Sequence, residues 1–250
     1  MEPIQAVLDS HLKPTLTQST TVCDKHGTRM QIISFGIGSF VKSREYCQAC
    51  ENEKSEAANK AHKELMQRQE KERIERVISG DFGNIPPRFR AATLSDFGGA
   101  RYNKDSQIYI TGKCGTGKTH LSVALMKEFA LDAIRKREHP SAKFFNFQKI
   151  AIAVKSSFGS LETESMQQIV SECQNVEFAI IDDICTARPT ATEIDALYLI
   201  TNHRYENYLP TVYTTNLSIK EIASIYGDRV ASRLADCERI VLEGSDRRIK

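Results

Sequence analysis

Gly112-Lys-Cys-Gly-Thr-Gly-Lys-Thr119 leaves this chain few folds to adopt. The stretch places Gly112, four residues, then Gly117, Lys118 and Thr119, the spacing of a phosphate-binding loop. Glycines let the backbone curl so that its N–H groups converge on phosphate oxygens. Lys118 can reach terminal phosphates, and the Thr119 hydroxyl can hold a magnesium ion. The flanks agree with the motif. Residues 106–111 read as a short buried strand, and residues 119–131 carry Leu121, Ala124, Leu125, Phe129 and Ala130 at helical spacing. The helix start adds its positive end beneath the phosphates. The candidate nucleotide contacts are therefore Gly112, Cys114, Gly115, Thr116, Gly117, Lys118, Thr119 and the adjoining His120.

Strands and helices alternate beyond the loop. Residues 142–147 read as a second strand, 149–158 and 166–173 as helices, and 176–182 as a third strand. That strand ends in Asp182-Asp183, an apolar run closed by two acids. Asp182 is the candidate magnesium-shell ligand with Thr119, and Asp183 the candidate general base for an attacking water. Residues 192–208 read as a helix capped by Thr192. A fourth strand, 211–216, ends on Asn216, the candidate reader of a terminal phosphate. A short helix follows at 219–226. Arg229 and Arg233 then stand one helical turn apart and share a face. A fifth strand spans 239–243. The expectation is an α/β fold with a parallel five-stranded sheet.

The front of the chain is different. Cys23 and His26 are followed about twenty residues later by Cys47 and Cys50, each pair separated by two residues. This is the spacing of a structural tetrahedral zinc site, with unrelated thiols and a surface histidine as the other reading. A hairpin at 32–41 would sit between the pairs, and residues 1–22 read as a partly ordered lead-in with a short helix at 4–12. Residues 51–78 are rich in Glu, Lys, Arg, Gln and Ala without Gly or Pro, which predicts one long helix. It serves either as a solvated spacer or as a partner-binding helix. Gly80, Gly83, Pro86 and Pro87 break the pattern, so the expected domains are 1–50, 51–79 and 80–250.

Composition narrows the classes. At 40% hydrophobic and 26% charged the chain of 250 residues is an ordinary globular protein. A formal charge of +2 makes no argument for nucleic acid by itself. Without an apolar run of membrane-spanning length or a signal sequence, the expected location is the cytoplasm, with no membrane partner. Seven cysteines in a reducing compartment are ligands or small hydrophobes rather than disulfides.

The order of strands, loop and acids resembles the AAA+ branch of P-loop ATPases. The finer pattern resembles the DnaC/IstB family of replicative helicase loaders and transposition helper ATPases. The residues that carry this are Ile85-Pro-Pro-Arg-Phe-Arg90, the phosphate loop through Leu121, Ile180-Ile-Asp-Asp-Ile184, Arg204-Tyr-Glu206, Thr214-Thr-Asn216 and Gly227-Asp-Arg-Val-Ala-Ser-Arg-Leu234. The resemblance implies a sheet ordered 5-1-4-3-2, no carboxy-terminal lid domain, and ATP bound between neighbouring subunits. It implies Arg229 as an arginine finger acting in trans with Arg233 beside it, and Arg247 as a second phosphate sensor. It places the helix at 149–158 along single-stranded DNA, with Lys155 on phosphate and Phe158 stacking on a base, although amphipathicity alone puts Phe158 in the core. Asp183 departs from the Glu found in most AAA+ proteins. The cysteine module resembles amino-terminal extensions of phage-type loaders. The implied activity is ATP hydrolysis by a loader that binds a hexameric replicative helicase and sets it on single-stranded DNA. The alternatives are a transposition helper on duplex DNA and a nucleotide-switched adaptor that binds no DNA.

Overall fold

The structure is a computed structural model that describes residues 15–37, 40–98, 103, 106–156, 163–185 and 188–247. The chain divides into two compact units, Met1–Gln69 and Glu70–Lys250.

In the first unit β1 (Thr15–Val22), β2 (Arg29–Ile37) and β3 (Phe40–Tyr46) form an antiparallel sheet in that order. The β2–β3 hairpin keeps its register from Gln31 against Tyr46 to Ile37 against Phe40. β1 corrects the reading of residues 1–22 as a lead-in. Its Thr15, Thr17, Thr20, Thr21 and Val22 are β-branched and fit a pleated surface. The expected helix at 4–12 lies outside the described residues. Helix α1 (Gln48–Ser79) follows, continuous over 32 residues. Its residues are exposed almost all round, with Val77 buried near the end against Ala130 and Ile134.

The second unit is built on one parallel sheet. β4 (Gln107–Gly112), β5 (Ala142–Asn146), β6 (Phe178–Asp182), β7 (Thr211–Thr215) and β8 (Glu238–Leu242) lie in the order β5-β6-β7-β4-β8. Every pairing is parallel. Counted within this unit from the β8 edge, the order is the expected 5-1-4-3-2. The helices are α2 (Lys118–Arg135), α3 (Phe147–Ser156), α4 (Thr163–Asn175), α5 (Ala191–Glu206), α6 (Ile219–Tyr226) and α7 (Asp228–Ala235). Alternate strand residues feed two cores, as a sheet covered on both faces requires. Ile108, Ile110, Ile180 and Val212 pack with Leu121 and Leu125 of α2. Tyr109, Ile181 and Tyr213 pack with Phe147, Leu197, Tyr226 and Leu234 from the helices of the other face. No described helix is long and apolar enough to cross a membrane.

The α5 cap differs from the expectation. Thr190, not Thr192, accepts the Glu193 N–H, while the Glu193 carboxylate accepts the Thr190 N–H at 2.6 Å. The capping box Thr-x-x-Glu beginning at Thr190 satisfies two end groups reciprocally, which Thr192 within the first turn cannot do.

Arg204, near the end of α5, is fully buried. Its guanidinium donates to the carbonyls of Cys173 (2.9 Å), Val176 (2.8 Å), Glu177 (3.1 Å) and Pro210 (2.8 Å), and to the Thr211 hydroxyl (2.6 Å). One planar fork thus ties the end of α4 to the starts of β6 and β7. Burial pushes its pKa down to about 10, so it stays charged at neutral pH. Arg204→Ala is expected to cost about 3 kcal/mol or more, because it orphans several buried carbonyls at once. Arg204→Lys, a point donor, recovers less than half of that loss. Urea unfolding of the three proteins is the check.

Candidate functional site

The phosphate loop leaves β4 at Gly112 and enters α2 at Lys118. Gly115 (φ 77°) and Gly117 (φ 99°) occupy the left-handed region that side chains resist. Both also lie under close neighbours. A Cβ on Gly115 would fall 1.8 Å from Asp246 Oδ1, and one on Gly117 would fall 3.2 Å from the Phe97 ring. The Arg247 N–H donates to the Gly115 carbonyl at 3.0 Å, and the Arg247 guanidinium lies 4.8 Å over the Phe97 ring. Lys118 Nζ donates to the carbonyls of Gly112 (2.8 Å) and Lys113 (2.9 Å), which holds the ammonium over the loop. The Thr116 hydroxyl donates to the Lys113 carbonyl at 2.9 Å and braces the turn.

The acids stand at the carboxyl end of β6. Asp182 is buried, and its Oδ1 accepts from the Thr214 hydroxyl at 2.7 Å. Burial pushes its carboxyl up to about 6, against the pull of hydrogen bonds from Thr214 and Thr119. Asp183 is exposed, with φ 60°. Its N–H donates to the Thr214 hydroxyl oxygen at 2.9 Å. Gln148 of α3 donates to the carbonyls of Asp183 (3.3 Å) and Cys185 (2.8 Å). Neighbours on both sides thus set the turn that carries Asp183.

A cleft of about 1210 Å³ brings Cys114, Gly115, Gly117, Lys118, Thr119 and His120 together with Asp182, Asp183 and Arg247. Pro86, Phe89 and Phe97 form its apolar wall, and Phe89 meets His120 edge-on at 5.0 Å. Buried Lys127 fixes this wall by donating to the carbonyls of Arg90 (2.9 Å) and Ala92 (3.2 Å). A buried carboxylate beside a threonine hydroxyl is a hard oxygen donor pair, so Thr119 and Asp182 fit a magnesium ion.

Other expected residues lie elsewhere. Asn216 is exposed, two residues beyond Thr214 and hydrogen-bonded to Cys185. β7 instead contributes Thr214 to the cleft. Arg229 is exposed on α7, outside the cleft lining, with its guanidinium 5.7 Å from the Tyr198 ring. Arg233 is half-buried and donates to Asn202 Oδ1 at 2.8 and 3.1 Å. Lys155 falls within α3, but its side chain, and Phe158 altogether, lie outside the described residues. Thr214, Gln148, Phe97, Lys127 and Asp246 were not picked out by sequence reasoning. Only Thr214 stood inside a recognised motif.

In the first unit Cys23, His26, Cys47 and Cys50 bring their donor atoms within 4.8 Å of one another. His26 Nδ1 lies 3.8, 3.7 and 3.3 Å from the sulfurs of Cys23, Cys47 and Cys50, and the Cys23 and Cys50 sulfurs are 3.7 Å apart. Tetrahedral zinc, with bonds of about 2.3 Å to sulfur and about 2.0 Å to nitrogen, sets neighbouring donors roughly 3.5–3.8 Å apart. The donor set and its spacing fit that ion.

The sequence pattern of the family described as IstB-like ATP binding protein matches residues 51–244. Over 129 residues the chain is 29% identical to the "Replicative helicase loader DnaC" of Escherichia coli (strain K12), which covers 52% of this chain and 50% of that protein. The chain thus spans about half the length of the curated relatives it matches. A crystal structure of the DnaC helicase loader superposes with a TM-score of 0.50 at 21% identity, covering 63% of this chain and 100% of that one. A putative primosome component from Streptococcus pyogenes serotype M3 gives 0.51 at 23% identity, covering 69% and 98%. The two likenesses are of fold: the parallel sheet and its helices form a DnaC-like core.

The raised Asp182 pKa yields a test. Its folded value lies above the unfolded one, so ionising it costs stability as pH rises from about 4 to about 6. A bound cation offsets that cost, and protons compete with the cation below about pH 6. Magnesium-dependent nucleotide affinity should therefore weaken several-fold between about pH 7 and about pH 5. Asp182→Asn should remove both the magnesium dependence and this pH dependence, as read by titration calorimetry.

Proposed function

The chain belongs to the IstB-like ATP binding protein family, and from that premise we propose that it is an ATP-dependent loader. It would bind a hexameric replicative DNA helicase in the cytoplasm and help set it on single-stranded DNA. The observation that carries the ATP switch is the gathering of Lys118, Asp182, Asp183 and Arg247 in one cleft while Arg229 is displayed outside it. The likeness to the E. coli "Replicative helicase loader DnaC" supports the choice of partner.

The chain's own groups divide the work. The loop N–H groups and Lys118 take the β and γ phosphates. Thr119 and Asp182 would hold magnesium, which neutralises phosphate charge when bound. Phe89 and Phe97 wall the cleft and exclude water. Asp183 takes the proton of the attacking water. Arg247 reads the terminal phosphate, held ready by its own N–H on Gly115, and Asn216, two residues past the cleft's Thr214, is the proposed second reader although it stands outside the cleft lining. Arg229 enters a neighbouring subunit's cleft as the finger. Arg233, committed to Asn202, braces the helix beneath it. Bound ATP then favours side-by-side subunits, and hydrolysis releases them, a population shift driven by phosphate contacts. Lys155 and Phe158 are the proposed contacts to single-stranded DNA. The module at 1–50 holds a zinc ion and grips the helicase, the helix at 51–79 links it, and 80–250 is the ATPase domain.

The resemblance to IstB-type ATPases carries one second reading, a transposition helper that binds duplex DNA and recruits a transposase. Co-elution with the replicative helicase of the source organism, with and without ATP and sized by light scattering, separates the two. A joint complex supports the loader. Its absence in both nucleotide states, with a preference for duplex DNA, supports the helper.

The site itself is tested by substitution. Lys118→Ala should lose ATP binding, and Asp183→Asn should keep binding but lose turnover. Arg229→Ala should lower turnover by about 1,000-fold or more at unchanged ATP affinity. Arg233→Ala should instead lower thermal stability. A turnover loss confined to Arg233→Ala would reassign the finger.

A further inference from the structure

The Cys/His cluster has an outer layer that cysteine and histidine spacing does not reveal. His26 turns Nδ1 towards the three sulfurs, and its Nε2 lies 3.0 Å from Glu53 Oε1. A carboxylate only accepts hydrogen bonds, so a proton sits on Nε2, and the form of the ring that can bind a metal is the tautomer whose Nδ1 lone pair faces the sulfurs. The second Glu53 oxygen accepts from Lys25 Nζ. Glu53 follows Cys50 by three residues on α1, so the two share a helix face. His26 and Lys25 lie in the turn between β1 and β2. On the far side of the cluster, the Thr28 hydroxyl lies 3.4 Å from Cys47 Sγ, within reach to donate to the thiolate.

We propose that Glu53 is the outer-layer carboxylate that orients His26 for metal binding and ties the β1–β2 turn to the second turn of α1. This rests on the zinc reading given above. Four donors hold the ion, but His26 comes from a short turn whose imidazole can rotate. Glu53 removes that freedom and raises the basicity of Nδ1, as carboxylates behind zinc-bound histidines do. Lys25 balances the carboxylate and holds it in place. Glu53 is thus a positioning residue that acts through His26.

The test uses the full chain. Elemental analysis of the wild type comes first, and less than one zinc per chain would remove the zinc reading itself. With zinc present, affinity is measured by competition with a chromogenic chelator. Glu53→Ala should weaken zinc binding by about 10- to 100-fold. Glu53→Gln, which keeps the shape and one acceptor oxygen, should fall in between and guards against a folding failure. The decisive arm is His26→Cys, which replaces the imidazole with a fourth thiolate. There Glu53→Ala should change zinc affinity less than twofold. An affinity within twofold of wild type for Glu53→Ala would overturn the proposal. So would an equal loss in the His26→Cys background, which would make Glu53 a packing residue.

Discussion

The Thr214 hydroxyl gathers the chemistry of the larger unit at one point. It donates to the Asp182 carboxylate and accepts from the Asp183 N–H, so one oxygen fixes both acids at the end of β6. A hydroxyl can do this because it offers a proton and lone pairs at once. It works here because β7 runs beside β6 in parallel register, with Ile181 opposite Tyr213. The sheet therefore acts as a jig. A slip of one residue would turn Thr214 to the opposite face and free both acids together.

The opposite end of the sheet is held by a different device. Arg204 collects carbonyls where α4 ends and where β6 and β7 begin. The reactive edge is thus set by a small neutral hydroxyl and the far edge by a large buried cation. Among the described residues its partners are backbone carbonyls and the Thr211 hydroxyl, so it relies on dipoles rather than on a carboxylate. Its charge stays at the far end of the sheet from the acids, and the cleft has cations of its own in Arg88, Lys118, Lys143, Lys149 and Arg247.

How far the sequence could be read followed the range of the forces involved. The strand–loop–helix unit, the acids after β6 and the sheet order were legible because each rests on local pattern or on the resemblance those patterns carry. β1 was not legible, because its threonine-rich stretch gains meaning only when paired with β2. The α5 cap was written in the sequence as Thr190-x-x-Glu193, but a second threonine two residues on drew attention away. Phe97, Lys127 and Asp246 left no signal, since each acts on a segment distant along the chain. Glu53 lay inside a charged helix where every turn offers a carboxylate, and only the imidazole behind it singles it out.

The contact between Gly115 and Asp246 constrains how such a chain can vary. The carboxylate lies where a side chain at position 115 would have to stand. An alanine in the loop would meet left-handed strain and a negative group at the same time. A side chain there would require residue 246 to be shortened or its carboxylate turned away, or the segment after β8 to move. That segment also supplies Arg247. The segment after the last strand therefore limits what the loop can carry at position 115, while a shorter side chain at position 246 would leave the glycine undisturbed.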